Sequence, residues 1–376
     1  MRKKLGIVGF YGGTNLGDES ILTSFLLILQ KNFPNLSVRI YSFGDLYLSY
    51  LVDKSKIEIY LLRSLKKDII KIFLSLKDLD TIIIGGGGLF HDYQFKVILE
   101  YFLWGLMAKL LRKKIICIGV GIGPLRKKTS RFLFGVFVKD ICDEIQVRDK
   151  GSYQLTLSII NQNISDKVKL SYDLALYLDN IRDKYKKNRK ESPYVVIAFR
   201  YWGNSENNYV PQNSKILKKY VSLIKYILEN SDFDVKLVPF SINRDIPLVS
   251  DLYNFIKDDR VKIAVPSSLD DLFYIISNSK AVIGLRLHSL ILSLVFRIPF
   301  FGIIYDDKVR NFMEEFNSKN YISIDELYSN EIDTYYRIRE FLLDLKFLID
   351  DNLIKNCSIK VEEDVVDALR RSRIEL

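Results

Sequence analysis

One apolar stretch of this 376-residue chain, residues 284–308, carries three side chains suited to anion binding and proton transfer. It reads GLRLHSLILSLVFRIPFFGIIYDDK, with Arg286 and His288 two residues apart and Lys308 at its end. A guanidinium grips a carboxylate or phosphate with two prongs, an ammonium acts as a point charge, and an imidazole titrates near neutral pH. The stretch predicts a site for a small dianion, in which Arg286 and His288 are catalytic and Lys308 binds substrate.

Other cations also follow predicted strands. Arg200 ends VVIAFR, Arg244 follows in PFSINRD, and Arg148 ends EIQVRD. Because the carboxyl ends of parallel strands meet at one edge of a sheet, Arg148, Arg200 and Arg244 are predicted to bind substrate. Arg148 admits a second interpretation, in which it forms a pair with Asp149 that caps the helix beginning at residue 150.

The segment GFYGGTNLGDESIL follows the first predicted strand and opens a helix. Its glycines allow close approach of a ligand, and the start of a helix attracts anions. We therefore predict that Asn15 and Gly17 bind substrate and that Asp18 is catalytic. The alternative is a tight turn with Asp18 as a plain helix cap. The glycine spacing differs from the dinucleotide-binding fingerprint.

Four consecutive glycines in IIIGGGGLFHD are interpreted as a loop after a strand, pressed against ligand. Glycine loses much chain entropy on folding, so such a run is costly as a mere turn. Gly86, Gly87 and the following His91 are predicted to bind substrate. A surface histidine is the alternative for His91.

Strand-length apolar runs alternate with helical patterns in both halves of the chain, which predicts mostly parallel sheets covered on both faces. The expected fold is α/β, with two doubly wound Rossmann-like domains facing a cleft and a C-terminal helical tail. We predict an N-terminal domain over residues 1–180, a charged linker over 181–193, a C-terminal domain over 194–330, and a tail over 331–376 that packs back on the domains.

The composition limits the partners. Lys and Arg exceed Asp and Glu by 10, which favours an anionic partner, but no nucleic-acid recognition module is apparent. Three scattered cysteines and no metal-ligand spacing predict neither disulfides nor a metal site. The apolar runs are too short for a signal peptide or a membrane span, so a cytoplasmic protein is expected. Basic clusters at 110–114 and 125–131 suit peripheral contact with an anionic membrane at its inner face, or else a solvated helix whose Phe residues enter the core.

Together, GFYGGTNLGDESIL, IIIGGGGLF, VRDKGS, SYDLAL and GLRLHSLILSLVFRIPFFGIIYDDKV resemble the polysaccharide pyruvyl transferase family. The resemblance implies a GT-B-like architecture and transfer of the pyruvyl group of phosphoenolpyruvate to two sugar hydroxyls, forming a cyclic ketal and releasing phosphate. It implies that Arg286 binds phosphoenolpyruvate and that His288 is the acid or base, and it maps the family's Arg-Asp-x-x-Ser element onto Arg148, Asp149 and Ser152.

The chemistry of that reaction agrees with these side chains. His288 is the expected proton donor, and Asp18 or His91 the base. No cofactor is expected, because phosphoenolpyruvate is a donor substrate. Family context implies a surface-glycan acceptor on a lipid diphosphate carrier. The N-terminal domain would then take the acceptor and the C-terminal domain phosphoenolpyruvate.

Two other functions fit the sequence. One is a GT-B glycosyltransferase that uses a nucleotide sugar; the helix after His288 lacks the glutamate with which many such enzymes hold a ribose, which counts against it. The other is a non-catalytic glycan-binding or assembly protein.

Overall fold

The computed structural model describes residues 3–160, 162–185, 192–201, 215–372 and 374. The chain forms two compact units. The first comprises Met1–Thr14, Asp18–Tyr177 and Asn356–Leu376, and the second Asn15–Gly17 and Leu178–Lys355.

The first unit contains a parallel sheet of seven strands. These are β1 (Lys4–Val8), β2 (Ser37–Ser42), β3 (Ile57–Leu61), β4 (Thr81–Phe90), β5 (Lys114–Ile122), β6 (Glu144–Val147) and β7 (Val168–Leu170). Their order is β3-β2-β1-β4-β5-β6-β7, so the chain direction across the sheet reverses between β1 and β4. In doubly wound sheets ligands bind at that switch point, beyond the carboxyl ends of the strands.

Helices connect these strands. They are α1 (Leu16–Asn32), α2 (Leu65–Ser75), α3 (Phe95–Leu110), α4 (Lys128–Val136) with a π-helical turn (Phe137–Ile141), and α5 (Lys150–Ile159). Two 3-10 helices follow, Gln162–Lys167 and Leu174–Tyr185. Ile82, Ile83 and Ile84 of β4 are all fully buried, which is typical of a central parallel strand covered on both faces.

The second unit repeats the scheme with six parallel strands. These are β8 (Tyr194–Ala198), β9 (Asp234–Leu237), β10 (Val261–Ile263), β11 (Ala281–Gly284), β12 (Phe300–Ile304) and β13 (Tyr321–Ser323). The order β10-β9-β8-β11-β12-β13 places the switch point between β8 and β11.

The helices of the second unit are α6 (Lys215–Glu229), α7 (Ile242–Ile256), α8 (Leu269–Ser277), α9 (Leu287–Phe296), α10 (Asp307–Glu315), α11 (Ile324–Ser329) and α12 (Glu331–Leu343). α6 shows why they form: its apolar residues recur every three or four positions and are buried, whereas its lysines are not. The last helix, α13 (Asp351–Arg371), passes into the first unit, where Arg371 pairs with Glu144 at 2.8 Å.

The α/β prediction is confirmed: two doubly wound parallel sheets and a helical C-terminus. Some elements differ from the sequence interpretation. The strands β3, β7, β10 and β13 were not predicted, because each lies at the edge of a sheet, where partial exposure leaves no continuous apolar run. The predicted linker begins within the 3-10 helix Leu174–Tyr185, and its residues 186–191 lie outside the described part of the chain.

The predicted glycine loop at 85–88 is also wrong, because all four glycines lie within β4. Gly85, Gly87 and Gly88 pair with β5, where Gly88 faces Gly121 and the register shifts between Gly88 and Phe90. Pairing with a neighbouring strand overrides the low strand propensity of glycine.

Among the described residues, no helix has both the length and the apolar character needed to cross a bilayer.

Candidate functional site

In the second unit, three cationic side chains follow three adjacent strands. Arg200 lies just beyond β8, Arg286 beyond β11, and Lys308 beyond β12. These strands flank the switch point, and their carboxyl ends face the same edge of the sheet. The structure therefore brings together three of the cations that the sequence analysis selected.

Arg286 is held by a buried carboxylate that the sequence analysis did not select. Its Nε donates to Asp245 Oδ2 at 3.0 Å, and its Nη2 donates to Asp245 Oδ1. Asp245 lies in the first turn of α7, is 1% exposed, and also accepts the backbone N–H groups of Phe240 and Ser241. One edge of the guanidinium is thus fixed by the protein, and its orientation is set before any ligand binds.

Tyr305 lies between the other two cations. Arg200 Nη1 donates to the Tyr305 hydroxyl at 3.2 Å, and the guanidinium carbon lies 5.1 Å from the ring centroid. Lys308 Nζ lies 5.3 Å from the same centroid and 2.9 Å from Asp306 Oδ2. Burial lowers the pKa of Lys308, but the Tyr305 and Asp306 oxygens more than offset this and raise it overall, so the ammonium is charged at neutral pH.

His288 is the second residue of α9, and its ring lies against Gly17. A Cβ at Gly17 would overlap imidazole Nδ1 and lie 2.5 Å from its Cγ, so only glycine leaves room for the ring. Asn15 precedes α1 and accepts the N–H of Gly17 at 3.3 Å, while the N–H of Leu16 donates to Phe240 O at 2.8 Å. Protein acceptors thus already occupy these two N–H groups at the start of α1, where an anion was expected.

In the first unit, Asp18 lies beside the glycines of β4. Gly86 and Gly87 have left-handed φ values of 72° and 80°, a conformation that disfavours other residues. Asp18 Oδ1 lies 2.6 Å from the position that a Cβ would take at Gly87. Asp18 is the third residue of α1 and follows the Asn15 cap, so the plain-cap interpretation of Asp18 does not hold.

The neighbouring carboxyl of Glu19 is fully buried and accepts the N–H of Gly12 at 2.7 Å. Burial raises the pKa of Glu19 to about 8, with a further contribution from the nearby Asp18 carboxylate. At neutral pH Glu19 is therefore mostly protonated, and Asp18 lies beside a neutral carboxyl group.

Arg148 is also largely buried in the first unit. Its Nη1 donates to Asp173 Oδ2 at 3.0 Å, and its Nε lies 3.6 Å from Asp149 Oδ2. Nε also lies 2.9 Å from the position of a Cβ at Gly121, so that glycine admits the guanidinium. Burial lowers the pKa of Arg148, but Asp173, Asp149 and Asp18 raise it overall, so the side chain stays charged.

The rest of the Arg-Asp-x-x-Ser element is structural here. Asp149 caps α5 by accepting the N–H of Ser152 at 2.7 Å, and the Ser152 hydroxyl accepts the N–H of Ile122 at 2.9 Å. The capping interpretation therefore holds for Asp149, whereas Arg148 reaches past it to Asp173.

The two remaining predicted binding residues, His91 and Arg244, lie just after β4 and in the first turn of α7. His91 follows β4, and its ring centroid is 5.1 Å from that of Tyr93. Arg244 is the third residue of α7 and is exposed, whereas its neighbour Asp245 points inward to Arg286. The structure does not bring Arg244 into the Arg286 pair, although both belong to the second unit.

Gly87→Ala should lower both stability and turnover. A left-handed backbone costs a residue with a Cβ about 1–2 kcal/mol, and the new methyl group would displace the Asp18 carboxylate. The matched control is Gly88→Ala, because its Cβ would meet only Arg148 Nη2, at 4.0 Å. Thermal unfolding and steady-state rates of both variants test this. Equal behaviour of the two would show that the Gly87–Asp18 contact has no role.

Solved structures with the same fold include UDP-N-acetylglucosamine 2-epimerase from Rickettsia bellii, with a TM-score of 0.64 and 12% identity over 99% of this chain and 98% of that one. The UDP co-structure of S. aureus MnaA matches with a TM-score of 0.63 and 15% identity, covering 98% and 96%. The Methanocaldococcus jannaschii UDP-GlcNAc 2-epimerase matches at 0.63 and 13%, covering 98% and 99%.

At such low identity these likenesses show the fold alone, which is GT-B-like. The family model for polysaccharide pyruvyl transferase matches residues 15–307, which run from the Asn15 cap through the Arg286–His288 element to the start of α10. The chain therefore belongs to the polysaccharide pyruvyl transferase family.

Proposed function

We propose that this protein transfers the pyruvyl group of phosphoenolpyruvate to two hydroxyls of a sugar in a surface-glycan precursor, forming a cyclic ketal. The observation that supports this best is the set of Arg200, Arg286 and Lys308 beyond three adjacent strands. Phosphoenolpyruvate carries a carboxylate and a phosphate, so it suits a site with several cations, and two of them are arginines that can bind in a bidentate manner.

The charges around these cations favour an anionic ligand. Asp245 and Asp306 accompany Arg286 and Lys308, but within the described part of the chain Arg200 pairs with no carboxylate. Asp245 and Asp306 act on the Arg200 guanidinium electrostatically, without a direct contact among the described residues, so an arriving anion would give this partly buried charge a direct partner. The preset Arg286 adds a binding group that needs no reorganisation.

His288 is the proposed acid. It protonates the methylene carbon of phosphoenolpyruvate, which leaves the adjacent carbon electrophilic. One sugar hydroxyl forms a C–O bond there and loses its proton to a base. The second hydroxyl then forms the other C–O bond as the bond to phosphate breaks, and inorganic phosphate leaves. One proton is delivered to the methylene carbon and two are released, one from each hydroxyl. The reaction balances because the departing phosphate takes up the one surplus proton.

Asp18 is the proposed base. It lies beside Gly87, where the absence of a side chain leaves its carboxylate room, and beside a mostly neutral Glu19. Arg148 and the glycines of β4 would line the acceptor side. The reaction needs no cofactor, and a lipid diphosphate carrier for the acceptor remains part of the proposal.

A titration and a turnover assay test this proposal together. Calorimetry should detect binding of phosphoenolpyruvate, and incubation with lipid-linked galactose, mannose and glucosamine glycans should release phosphate and add the mass of a pyruvyl ketal to one of them. The structural relatives include UDP-sugar epimerases, so UDP is the matched competitor. Tight UDP binding with no phosphoenolpyruvate binding would favour a nucleotide-sugar enzyme. Glycan binding without any turnover would favour a non-catalytic protein.

Lys308→Ala should act mainly through weaker binding of phosphoenolpyruvate. A hydrogen bond to a charged group contributes about 1.5–3 kcal/mol, so we expect a rise of about 10- to 150-fold in KM with a smaller change in kcat. Asp306 still caps α10 through Val309 N–H, which preserves the local fold. Lys319→Ala, on an exposed position of the same unit, is the control. A fall in kcat at unchanged KM would exclude a binding role for Lys308.

A further inference from the structure

The helical layer of the first unit formed by α2, α3 and α4 has an unusual outer surface. α2 packs on α3, and α3 packs on α4. α3 has only three charged residues among its sixteen, a composition closer to that of an enclosed helix than to that of a surface helix. Yet four large apolar side chains of α3 are exposed to solvent: Phe95, Leu99, Leu106 and Leu110. They are four, seven and four residues apart and so lie along one face of the helix.

Neighbouring helices extend this apolar surface. On α2, Ile70 is 73% exposed, and Ile69 and Leu74 are exposed beside it. On α4, Phe132 is 71% exposed, although Phe134 of the same helix is fully buried. The prediction that this segment packs its Phe residues inward is thus right for Phe134 and wrong for Phe132. A shallow groove of about 460 Å³ opens between the starts of α3 and α4, lined by Phe95, Lys128, Thr129, Phe132 and Leu133.

Nearly all of the chain's excess charge lies in the stretch of sequence that contains α2, α3 and the start of α4. Residues 63–131 contain fourteen Lys and Arg against five Asp and Glu, an excess of nine out of the total of +10. Of the five acids, Asp68 is buried and Asp78 pairs with Arg39 and Lys4. The exposed cations flank the apolar residues: Lys66, Lys67 and Lys71 on α2, Lys96 and Lys109 on α3, and Arg126, Lys127 and Lys128 at α4.

We propose that the outer surface of α2, α3 and α4 is a docking surface for a membrane that contains anionic lipids. Apolar side chains flanked by lysines match the interface of such a membrane, because the apolar groups enter the acyl boundary while the ammonium groups reach the phosphates. The groove at Phe132 admits part of one lipid chain. A second copy of this chain is a poor occupant, since two surfaces with the same charge excess repel each other.

This inference rests on the proposed function only for its purpose, which is to bring the enzyme to a lipid-linked acceptor. Vesicle binding is measured without phosphoenolpyruvate or acceptor, so the two proposals fail separately. The wild-type protein should co-sediment with vesicles of phosphatidylcholine and phosphatidylglycerol and much less with phosphatidylcholine alone. Binding should weaken as NaCl rises above 0.1 M, where the screening length is about 10 Å.

A matched pair of charge variants locates the surface. Lys127→Glu/Lys128→Glu should lower the partition coefficient about tenfold or more. Lys218→Glu/Lys225→Glu makes the same change in net charge on the exposed side of α6 in the second unit, and should cause a much smaller loss. Equal losses would mean that only net charge matters, and would overturn the assignment of this surface.

Tryptophan fluorescence tests insertion. Phe132→Trp should be quenched by vesicles with brominated acyl chains beyond the level of the wild-type protein. Ile332→Trp, at a position 86% exposed on α12, should not be quenched in this way. Absence of extra quenching at position 132, or equal binding to neutral vesicles, would overturn the proposal. So would a wild-type dimer that Phe132→Glu dissociates, because the surface would then bind protein.

Discussion

Arg286→Lys should lower kcat/KM by about a hundredfold or more, although the charge is kept. The Arg286 fork spans both oxygens of Asp245, which presets the guanidinium for a ligand at its other edge. The single ammonium group of lysine can make only one of these contacts. The fixed orientation of the cation and its second hydrogen-bonding group are therefore both lost. Removal of one such preorganised donor costs about 10²–10³ in rate in other enzymes. Phosphate release at varied phosphoenolpyruvate concentration measures the effect.

Asp245 complicates the interpretation of that variant. Its carboxylate is only 1% exposed, and Arg286→Lys weakens the ion pair that compensates this buried charge. Asp245→Asn separates the two effects. It keeps an oxygen for the Phe240 and Ser241 N–H groups but removes the charge that orients Arg286. A positioning role predicts that Asp245→Asn loses less activity than Arg286→Lys, and that the double variant resembles Arg286→Lys alone. Near-normal rates in Arg286→Lys, with a lowered unfolding temperature, would make the arginine purely structural.

The sequence predicted the positions of the cations but not of their partners. Arg200, Arg286 and Lys308 could be placed because apolar runs show where buried strands end, and parallel strands end at a common edge. Asp245 is 41 residues from Arg286 along the chain, and only the folded sheet brings them together. Asp173 is likewise 25 residues from Arg148 along the chain and contacts it only in the folded protein. Its one sequence signal was the SYDLAL motif, which contributed to the family resemblance.

Tyr305 was missed for a different reason. It follows the apolar run FFGII and looks like the last residue of a buried strand, whereas the structure ends β12 at Ile304 and turns the phenol between Arg200 and Lys308. A shift of one residue in the end of β12 decides whether Tyr305 is assigned to the core or to the site. Sequence patterns define strand ends less well than strand centres. The glycines of β4 show the converse case, in which pairing with β5 overrides a local preference for a loop.

These contacts also give the glycines separate roles. Gly17 leaves room for the imidazole of His288 in the second unit, and Gly87 leaves room for the carboxylate of Asp18 in the first. A glycine is needed at each position because a Cβ would overlap a proposed proton-transfer group. Each glycine loses more backbone conformational entropy on folding than another residue would, but it leaves room for a reactive side chain.

His288→Ala should reduce turnover by about 10²–10⁴-fold while phosphoenolpyruvate binding and the fold persist, since that is the usual contribution of a positioned acid or base. His288→Gln should be no more active, because an amide donates a hydrogen bond but delivers no proton at neutral pH. The histidine does not cap α9: Arg286 holds the N-cap position, and His288 is the second helical residue. Its packing on Gly17 is one structural role that the contacts indicate.

Gly17→Ala tests that packing without removing the imidazole. The new methyl group would displace the ring, so we expect a loss of turnover smaller than that of His288→Ala, with binding of phosphoenolpyruvate retained. Phosphate release and thermal unfolding should be measured for all three variants. If His288→Gln stays active while its unfolding temperature drops, the histidine only supports the loop and the proton comes from another group, with His91 the next residue to replace. If His288→Ala and His288→Gln are equally inactive, are as stable as the wild type and bind phosphoenolpyruvate as tightly by calorimetry, the loss must arise in the proton transfer itself, because neither the fold nor the binding of the donor has changed.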